Sequence, residues 1–467
     1  MSFYTSTGGN PLLSALIASV LLAACASPNP DAAFADLNKT VAGRIPDAAV
    51  WRTGGPEDAA VDARVDALMA EPLTAQSAAQ VALLSNRGLQ ARYASLGIAQ
   101  ADVVQAGLLE NPVFEIMVRP STEEGTNIEL GLMQNFVDLL MRPARIKLAA
   151  AEYDVTKLDL AAHLVAFVGD VQNAYYAHRG ALGTLDVAKE VAGTARDGAS
   201  LARAFHTAGN ISDLDLATHQ ADAGDAHVEL LESEEEVGDS RIELAELLGV
   251  SHNAKWTVSS RPPSLPDTQV KLTGLEQQAL KNRFDLTAHR AEVRAALAEL
   301  GMEEDFRLVE DADLGVSAEK EPDGAWLIGP VFEIPLPLFD QGQTRLASAT
   351  MALRRAQDEL AAEESHVRLQ VKRAADSMVL ARQRAAHLLG TVLPLKERIV
   401  RLTLAEYNYM LESPFHLLET QQEQNESYRM YVEALTDYWM ARADLQAAIG
   451  GGPLKTQPAA SSQGDAS

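Results

Sequence analysis

Val113-Phe114-Glu115-Ile116-Met117-Val118-Arg119 and Asn127-Ile128-Glu129-Leu130-Gly131-Leu132-Met133 decide the fold. In the first stretch Phe114, Ile116 and Val118 alternate with Glu115, Met117 and Arg119; in the second Ile128, Leu130 and Leu132 alternate with Asn127, Glu129, Gly131 and Met133. Period two marks a strand with one apolar face. The intervening Ser121-Thr122-Glu123-Glu124-Gly125 reads as a turn, so 112–136 is a β-hairpin. The pattern recurs about 200 residues later. There Leu314, Val316 and Ala318 alternate with Asp313, Gly315, Ser317 and Glu319. Trp326, Ile328, Phe332 and Ile334 alternate with Leu327, Gly329, Val331 and Glu333. Glu321-Pro322-Asp323-Gly324 suits a type I turn, which makes 311–336 a second hairpin. Two hairpins can form a small sheet on a soluble core. They can also belong to a membrane barrel with apolar side chains toward lipid. Four strands cannot close a barrel, since bacterial barrels begin at about eight. Three copies pooling four strands each supply twelve, so the membrane reading requires a trimer.

Outward from each hairpin the pattern turns helical. From Pro143 to about Phe205 no turn cluster interrupts the chain. A helix of that length extends about 90 Å. Gly342 to about Met410 is its counterpart, with Pro394 expected to kink or interrupt it. Each run ends in a tight break and returns, at Gly209-Asn210-Ile211-Ser212 and at Glu412-Ser413-Pro414. Such lengths with Ala-rich seams predict coiled-coil-like packing in a long tube. A fibrous coiled coil is the plainer alternative, and the embedded hairpins argue against it.

The two halves echo each other. Ser85-Asn86-Arg87-Gly88-Leu89 returns as Lys281-Asn282-Arg283-Phe284-Asp285-Leu286, and Phe205 to Gln220 returns as Tyr407 to Gln422. That alignment sets Leu411 opposite Gly209. The element order repeats as well: helix, hairpin, long helical hairpin. The first repeat spans 73–255 and the second 272–451. Arg261-Pro262-Pro263-Ser264-Leu265-Pro266 cannot continue a helix, so 256–271 is a linker. Residues 25–72 read as mostly irregular, and 452–467 as a disordered tail.

The N-terminus reads as a signal peptide over residues 1–24. Leu12 to Ala24 is mainly apolar and too short to span a bilayer, which takes about 20 residues as a helix. No Lys or Arg precedes it. Leu22-Ala23-Ala24-Cys25 resembles a bacterial lipobox, which implies cleavage before Cys25 and a lipid on its thiol. Cys25 is the one cysteine in 467 residues, which excludes an internal disulfide and a multi-thiolate zinc site. Ala26-Ser27 in place of an Asp after it points to the outer membrane.

Aromatic residues make up 5% of the chain, and the formal net charge is −26. Scarce aromatics with abundant Ala, Leu, Glu and Arg favour long helices. Without a basic stripe the chain has no means of holding nucleic acid.

The lipobox, the doubled helix–hairpin–helix unit, Asn111-Pro112 before the first strand, and Pro335-Leu336-Pro337-Leu338-Phe339-Asp340-Gln341-Gly342 before the second long helix together resemble the TolC family of outer-membrane efflux proteins. Within it the chain looks like the lipid-anchored outer-membrane factors of resistance–nodulation–division pumps, with a likeness to the heavy-metal branch. The resemblance covers Leu73 to Gly450. It implies a mainly α fold with a β membrane part: a homotrimer with a shared 12-stranded β-barrel and a long α-helical periplasmic barrel. It implies a passive conduit for small solutes, drugs or metal cations. Its partners would be a periplasmic adaptor, an inner-membrane pump and outer-membrane lipid. The tips that meet the adaptor and form the gate would be Gly209, Asn210, Ser212, Asp213 and Asp215 in the first repeat and Glu412, Ser413 and Pro414 in the second.

Excess carboxylate, 65 acidic against 39 basic residues, favours cations in a lumen. Asp213, Asp215 and Glu412 would form acidic rings under threefold symmetry, or else simply solvate helix ends. Met117 and Met133 fall on the polar side of their strands, where thioethers suit Cu(I), although methionine is commonly filler. No catalytic chemistry stands out. G-x-G-x-x-G, the Walker-type phosphate loop, H-E-x-x-H and G-x-S-x-G are all missing, the ten histidines form no i, i+4 pair, and no metal or cofactor site is expected. Glu234-Glu235-Glu236 reads as a solvated face. The competing readings are an outer-membrane conduit for type I protein secretion, a lipidated periplasmic adaptor or scaffold, and a lipid-anchored periplasmic enzyme.

Overall fold

The computed structural model describes residues 29–120, 126–260, 262–308, 311–321 and 323–458. The signal-peptide stretch, Cys25, the first hairpin's turn at 121–125, Pro322 and the end of the tail lie outside them. The chain divides into two compact units. The first comprises residues up to Leu37, Tyr93–Leu160 and Asp285–Glu363; the second comprises Asn38–Arg92, Ala161–Phe284 and residues from Glu364 on.

The first unit carries one antiparallel sheet of β1 (Val113–Pro120), β2 (Thr126–Asn135), β4 (Asp313–Lys320) and β5 (Trp326–Glu333), in the order β1-β2-β4-β5. The two sequence hairpins therefore lie side by side, joined through β2 and β4. The second turn has its expected bond, Gly324 N–H to Glu321 C=O at 2.9 Å, with Gly324 at φ +91°.

After β2 the chain enters α5 (Val137–Thr207), a helix of 71 residues or about 107 Å. It starts six residues before Pro143, where the sequence reading placed its beginning. Asn135 sets the start: its side-chain oxygen accepts the Asp138 N–H at 3.0 Å. The buried Asp138 carboxylate in turn pairs with Arg145. Pro143, the seventh residue of the helix, has no N–H for the Leu139 carbonyl, so the helix runs on through it with one hydrogen bond fewer.

In the second unit α5 continues beside α6 (Asp213–Leu248), α10 (Leu393–Asn408) and α11 (Pro414–Ala448). The short α3 (Ala75–Ser85) and α7 (Leu275–Asn282) precede α4 (Arg87–Ala106) and α8 (Phe284–Phe306) in matching positions of the two repeats. The repeat recurs in detail. Gly249 follows α6 at φ +70°, and a Cβ there would lie 2.6 Å from the Asn86 Cα. Gly450 follows α11 at φ +89°, and a Cβ there would lie 3.1 Å from the Asn282 carbonyl carbon. Each helical hairpin thus closes on the Asn-Arg corner of its own repeat. The second long helix runs as α9 (Gln343–His387), then a π-helical turn (Leu388–Val392), then α10. Pro394 has no N–H for the Gly390 carbonyl, and a π turn is the usual way to absorb such a gap without breaking the rod.

Two expectations are corrected. Residues 25–72 are not mostly irregular, because α1 (Pro30–Val41) and α2 (Asp58–Ala70) lie there. Leu37 is fully buried, Phe34 packs edge-on against Tyr93 at 5.0 Å, and Asp36 holds Lys157 at 2.9 Å. The tail and linker are not wholly irregular either. β3 (Thr268–Val270) pairs antiparallel with β6 (Thr456–Pro458).

Candidate functional site

The sheet register sorts most of its side chains by parity, with Val113, Leu327 and Val331 on the polar face and Gln134 on the apolar one as exceptions. One face stacks the rungs Phe114–Leu132–Val316–Pro330, Ile116–Leu130–Ala318–Ile328 and Val118–Ile128–Lys320–Trp326. These apolar side chains are open to the surroundings: Phe114 is 64% and Ile328 74% exposed. An apolar surface of this extent is an aggregation liability if left in water. Lys320, the single charge on the face, stands beside Trp326 at the turn end, where an apolar band gives way to an aromatic and polar margin. The opposite face carries Glu115, Glu129, Glu319, Asp313 and Glu333 against one cation, Arg119. Asn127 donates to Glu319 at 2.5 Å, and Arg119 lies 3.8 Å from Glu129. β1 and β5 are left as edges. Unpaired edges of this kind are available for pairing with further strands.

At the far end of the helices two turns carry the other candidate residues. α5 closes with Gly209 at φ +74°, its N–H bonded to the His206 carbonyl at 2.8 Å, while Asn210 N–H reaches Phe205 C=O at 2.9 Å. This is the two-bond helix stop that favours glycine. Ser212 then caps α6 in a closed box: Asp215 N–H donates to Ser212 Oγ at 3.1 Å, and Ser212 N–H to the Asp215 carboxylate at 3.0 Å. These bonds from Ser212 hold the Asp215 carboxyl below its ordinary range. Asp213 bridges the turn to His206 at 2.6 Å.

The second turn has the same geometry from a different sequence. Met410 takes the left-handed position at φ +60°, its N–H bonded to Tyr407 C=O at 2.9 Å, and Leu411 N–H bonds Glu406 C=O at 3.0 Å. Ser413 caps α11, accepting His416 N–H at 3.1 Å, with Pro414 in the first turn. The residue equivalent to Gly209 is therefore Met410, and the sequence alignment that set Leu411 there is one residue out of step. The turns meet through Phe415, edge-on to Phe205 at 5.6 Å and stacked on His219 at 4.3 Å.

The chain matches the family model "Outer membrane efflux protein" over residues 78–250. It is 26% identical over 348 residues to the cobalt-zinc-cadmium resistance protein CzcC of Cupriavidus metallidurans, covering 73% of this chain and 82% of that protein. Its fold superposes on the CmeC outer membrane channel of Campylobacter jejuni with TM-score 0.70 at 14% identity, over 81% of this chain and 86% of CmeC. CusC gives TM-score 0.68 at 16% identity, over 81% and 92%. The chain thus resembles the outer membrane efflux proteins, with the family model matched over residues 78–250. That family consists of efflux channels rather than enzymes, and the fold is TolC-like.

Within this chain the structure brings Gly209, Asn210, Ser212, Asp213 and Asp215 together at one turn, and Glu412, Ser413 and Pro414 at the other. Asp215 is engaged in its cap with Ser212. Sequence reasoning missed Met410, Phe205, Phe415 and His219. Phe415 was visible only as an apolar residue after a Ser-Pro helix start. Met117 and Met133 do share the polar face, but Met117 pairs with Glu129 and Met133 with Val113, four rungs or about 13 Å apart. They do not form a two-sulfur site. Among the described residues no group of three His, Cys, Asp or Glu is placed to hold a metal ion.

Proposed function

We propose that this protein is the outer-membrane channel of a tripartite efflux system. It works as a homotrimer that draws solutes from a periplasmic adaptor and inner-membrane pump, and its cargo is divalent metal cations. One observation carries the reading: a four-stranded sheet with an apolar, exposed face, a carboxylate-rich opposite face and two open edges. Three copies close those edges into twelve strands, lipid outside and water within. The helices support the same assembly. α6 leaves Leu214, Val228, Leu231 and Ile242 exposed, and α10 leaves Leu395, Ile399 and Leu402 exposed, each at coiled-coil spacing. The polar face would place three copies of five carboxylates along the pore, which favours cations. CzcC is named for cobalt, zinc and cadmium resistance, and that supports the cargo. We propose further that Cys25 carries the lipid anchor.

The test of the channel is conductance of the purified protein in a planar bilayer under a KCl gradient. Discrete openings with a cation-selective reversal potential are expected. Silence from the wild type and from Asp213→Ala and Asp215→Ala alike would count against a pore, since loosening the tip should open a closed one. For the cargo, deletion of the gene should lower tolerance to cobalt, zinc or cadmium. Unchanged tolerance to all three would exclude that cargo.

A further inference from the structure

The apolar parity of β5 does not stop where the strand stops. β5 ends at Glu333, yet the even-numbered positions beyond it are Ile334, Leu336 and Leu338, and Phe339 follows. They are open: Leu336 is 76%, Leu338 70% and Phe339 93% exposed. Pro335 and Pro337, between them, carry no N–H. Two missing donors in three residues weaken any ladder with a neighbouring strand, which argues against a second copy as its cover.

Its backbone is satisfied locally. Leu338 N–H bonds Leu336 C=O at 2.8 Å, Gln343 Nε2 donates to Phe339 C=O at 3.3 Å, and Asp340 accepts the Gly342 N–H at 2.9 Å. The apolar side chains are thus presented outward on a fixed loop. The same end of the sheet continues the pattern on α5. Phe136 stacks on Phe332 at 5.8 Å, and Leu139 and Leu140, just beyond Phe136, are both exposed.

The dimensions say what these residues meet. β5 has 8 residues, about 26 Å along the strand and about 20 Å along the membrane normal at a 40° tilt. The apolar band of such barrels is about 25 Å tall. The strand is short by about 5 Å at its helix-side end, which is where Ile334 to Phe339 lie. Exposed cations flank the apolar residues: Arg142 follows Leu140, and Arg307 precedes the exposed Leu308. Cations beside apolar side chains suit phosphate headgroups above acyl chains.

We propose that Leu336, Leu338 and Phe339, with Leu139 and Leu140, form a collar that inserts into the phospholipid leaflet facing the periplasm. It completes the apolar band that the strands leave short. This rests on the membrane-barrel reading, and the experiment separates the two. Nitroxides are placed by Leu338→Cys, Phe339→Cys and Ile328→Cys, with Ser377→Cys on α9 as the aqueous reference and the parent chain as the labelling blank. Each labelled protein is reconstituted in phospholipid vesicles, and its accessibility to oxygen and to a water-soluble nickel chelate is measured. At 338 and 339 the oxygen-to-nickel ratio should approach that at 328 and stand several-fold above that at 377. A ratio at 338 and 339 equal to that at 377 means these residues stand in water. Low accessibility to both probes there means a second copy covers them. Either result, with 328 in lipid, overturns the collar alone. If 328 also reports water, the membrane reading itself fails.

Discussion

A single arginine on either face of the sheet separates a membrane barrel from a soluble sheet. Ile328 stands mid-strand on the apolar face, paired with Ala318. Ser317 is its near neighbour on the opposite face, paired with Gly329. Arginine at the midplane of a lipid face costs about 2–4 kcal/mol. Three copies bring Ile328→Arg to about 6–12 kcal/mol per trimer, while Ser317→Arg meets water and the carboxylates of the polar face at little cost. A penalty of even 6 kcal/mol exceeds ten-thousandfold in an assembly constant, since about 1.4 kcal/mol is tenfold. The assay is the fraction of heat-modifiable trimer in outer-membrane extract, read on gels with and without boiling. Ile328→Arg should abolish the trimer and Ser317→Arg should leave it. Equal yields of the two variants would refute the assignment of faces. Loss from Ser317→Arg alone would invert it.

Other outcomes follow from particular contacts. His178 is buried against Ser240 at 3.0 Å and Trp256 at 5.5 Å. Burial, reinforced by the Arg241 guanidinium, holds its pKa down at about 4. The unfolded chain binds that proton from about pH 6.5, so the folded state is fully favoured above 6.5 and loses stability as pH falls toward 4, by about 3 kcal/mol at most. Thermal melts from pH 7 to 4 should slope accordingly, and His178→Phe should flatten the slope. Gly249→Ala has no room beside Asn86 and requires φ +70°. It should lower the unfolding free energy by about 2 kcal/mol or more, read from denaturant titration, whereas Gly224→Ala, in open space within α6, should raise it slightly. Cys25→Ser should abolish incorporation of labelled fatty acid, and retained label would place the lipid elsewhere.

The sheet was legible because its information is local and redundant. Four strands repeat one parity, and a slip of one residue would invert all of it. The long helices were legible by the lack of turn signals. What stayed hidden depended on distant partners or on unremarkable sequence. β3 and β6 are three residues each, too short for any period to show, and each exists only because the other lies opposite. In α2 the apolar residues Val61, Val65, Leu68 and Met69 do fall at helical spacing, but the run is short and was passed over in a Pro- and Gly-rich neighbourhood. The cap at Asn135 was passed over because Pro143 is the louder start signal, yet here the proline lies inside the helix rather than at its first position. The tips were found, but their register was not. Matching side chains put Leu411 opposite Gly209, whereas the backbone matches φ signs and caps, which puts Met410 there.

That mismatch bears on function. A non-glycine residue in the left-handed region costs about 1–2 kcal/mol, and the first tip shows that the same turn is made with glycine. Met410 holds this conformation with its side chain 93% exposed, between Tyr409 at 79% and Leu411 at 73%. Its packing within the chain does not repay the strain, so the side chain has another use. The first tip is polar and the second is an exposed apolar prow, which fits a partner surface that meets the two differently. Met410→Gly should therefore raise the unfolding free energy in urea by about 1 kcal/mol or less. The same substitution should weaken co-purification of the trimer with its adaptor. The two effects have opposite signs, which no loss of folding can produce. If Met410→Gly stabilises the chain and leaves adaptor binding intact, the apolar prow is not the docking surface, and the strain at Met410 serves neither role.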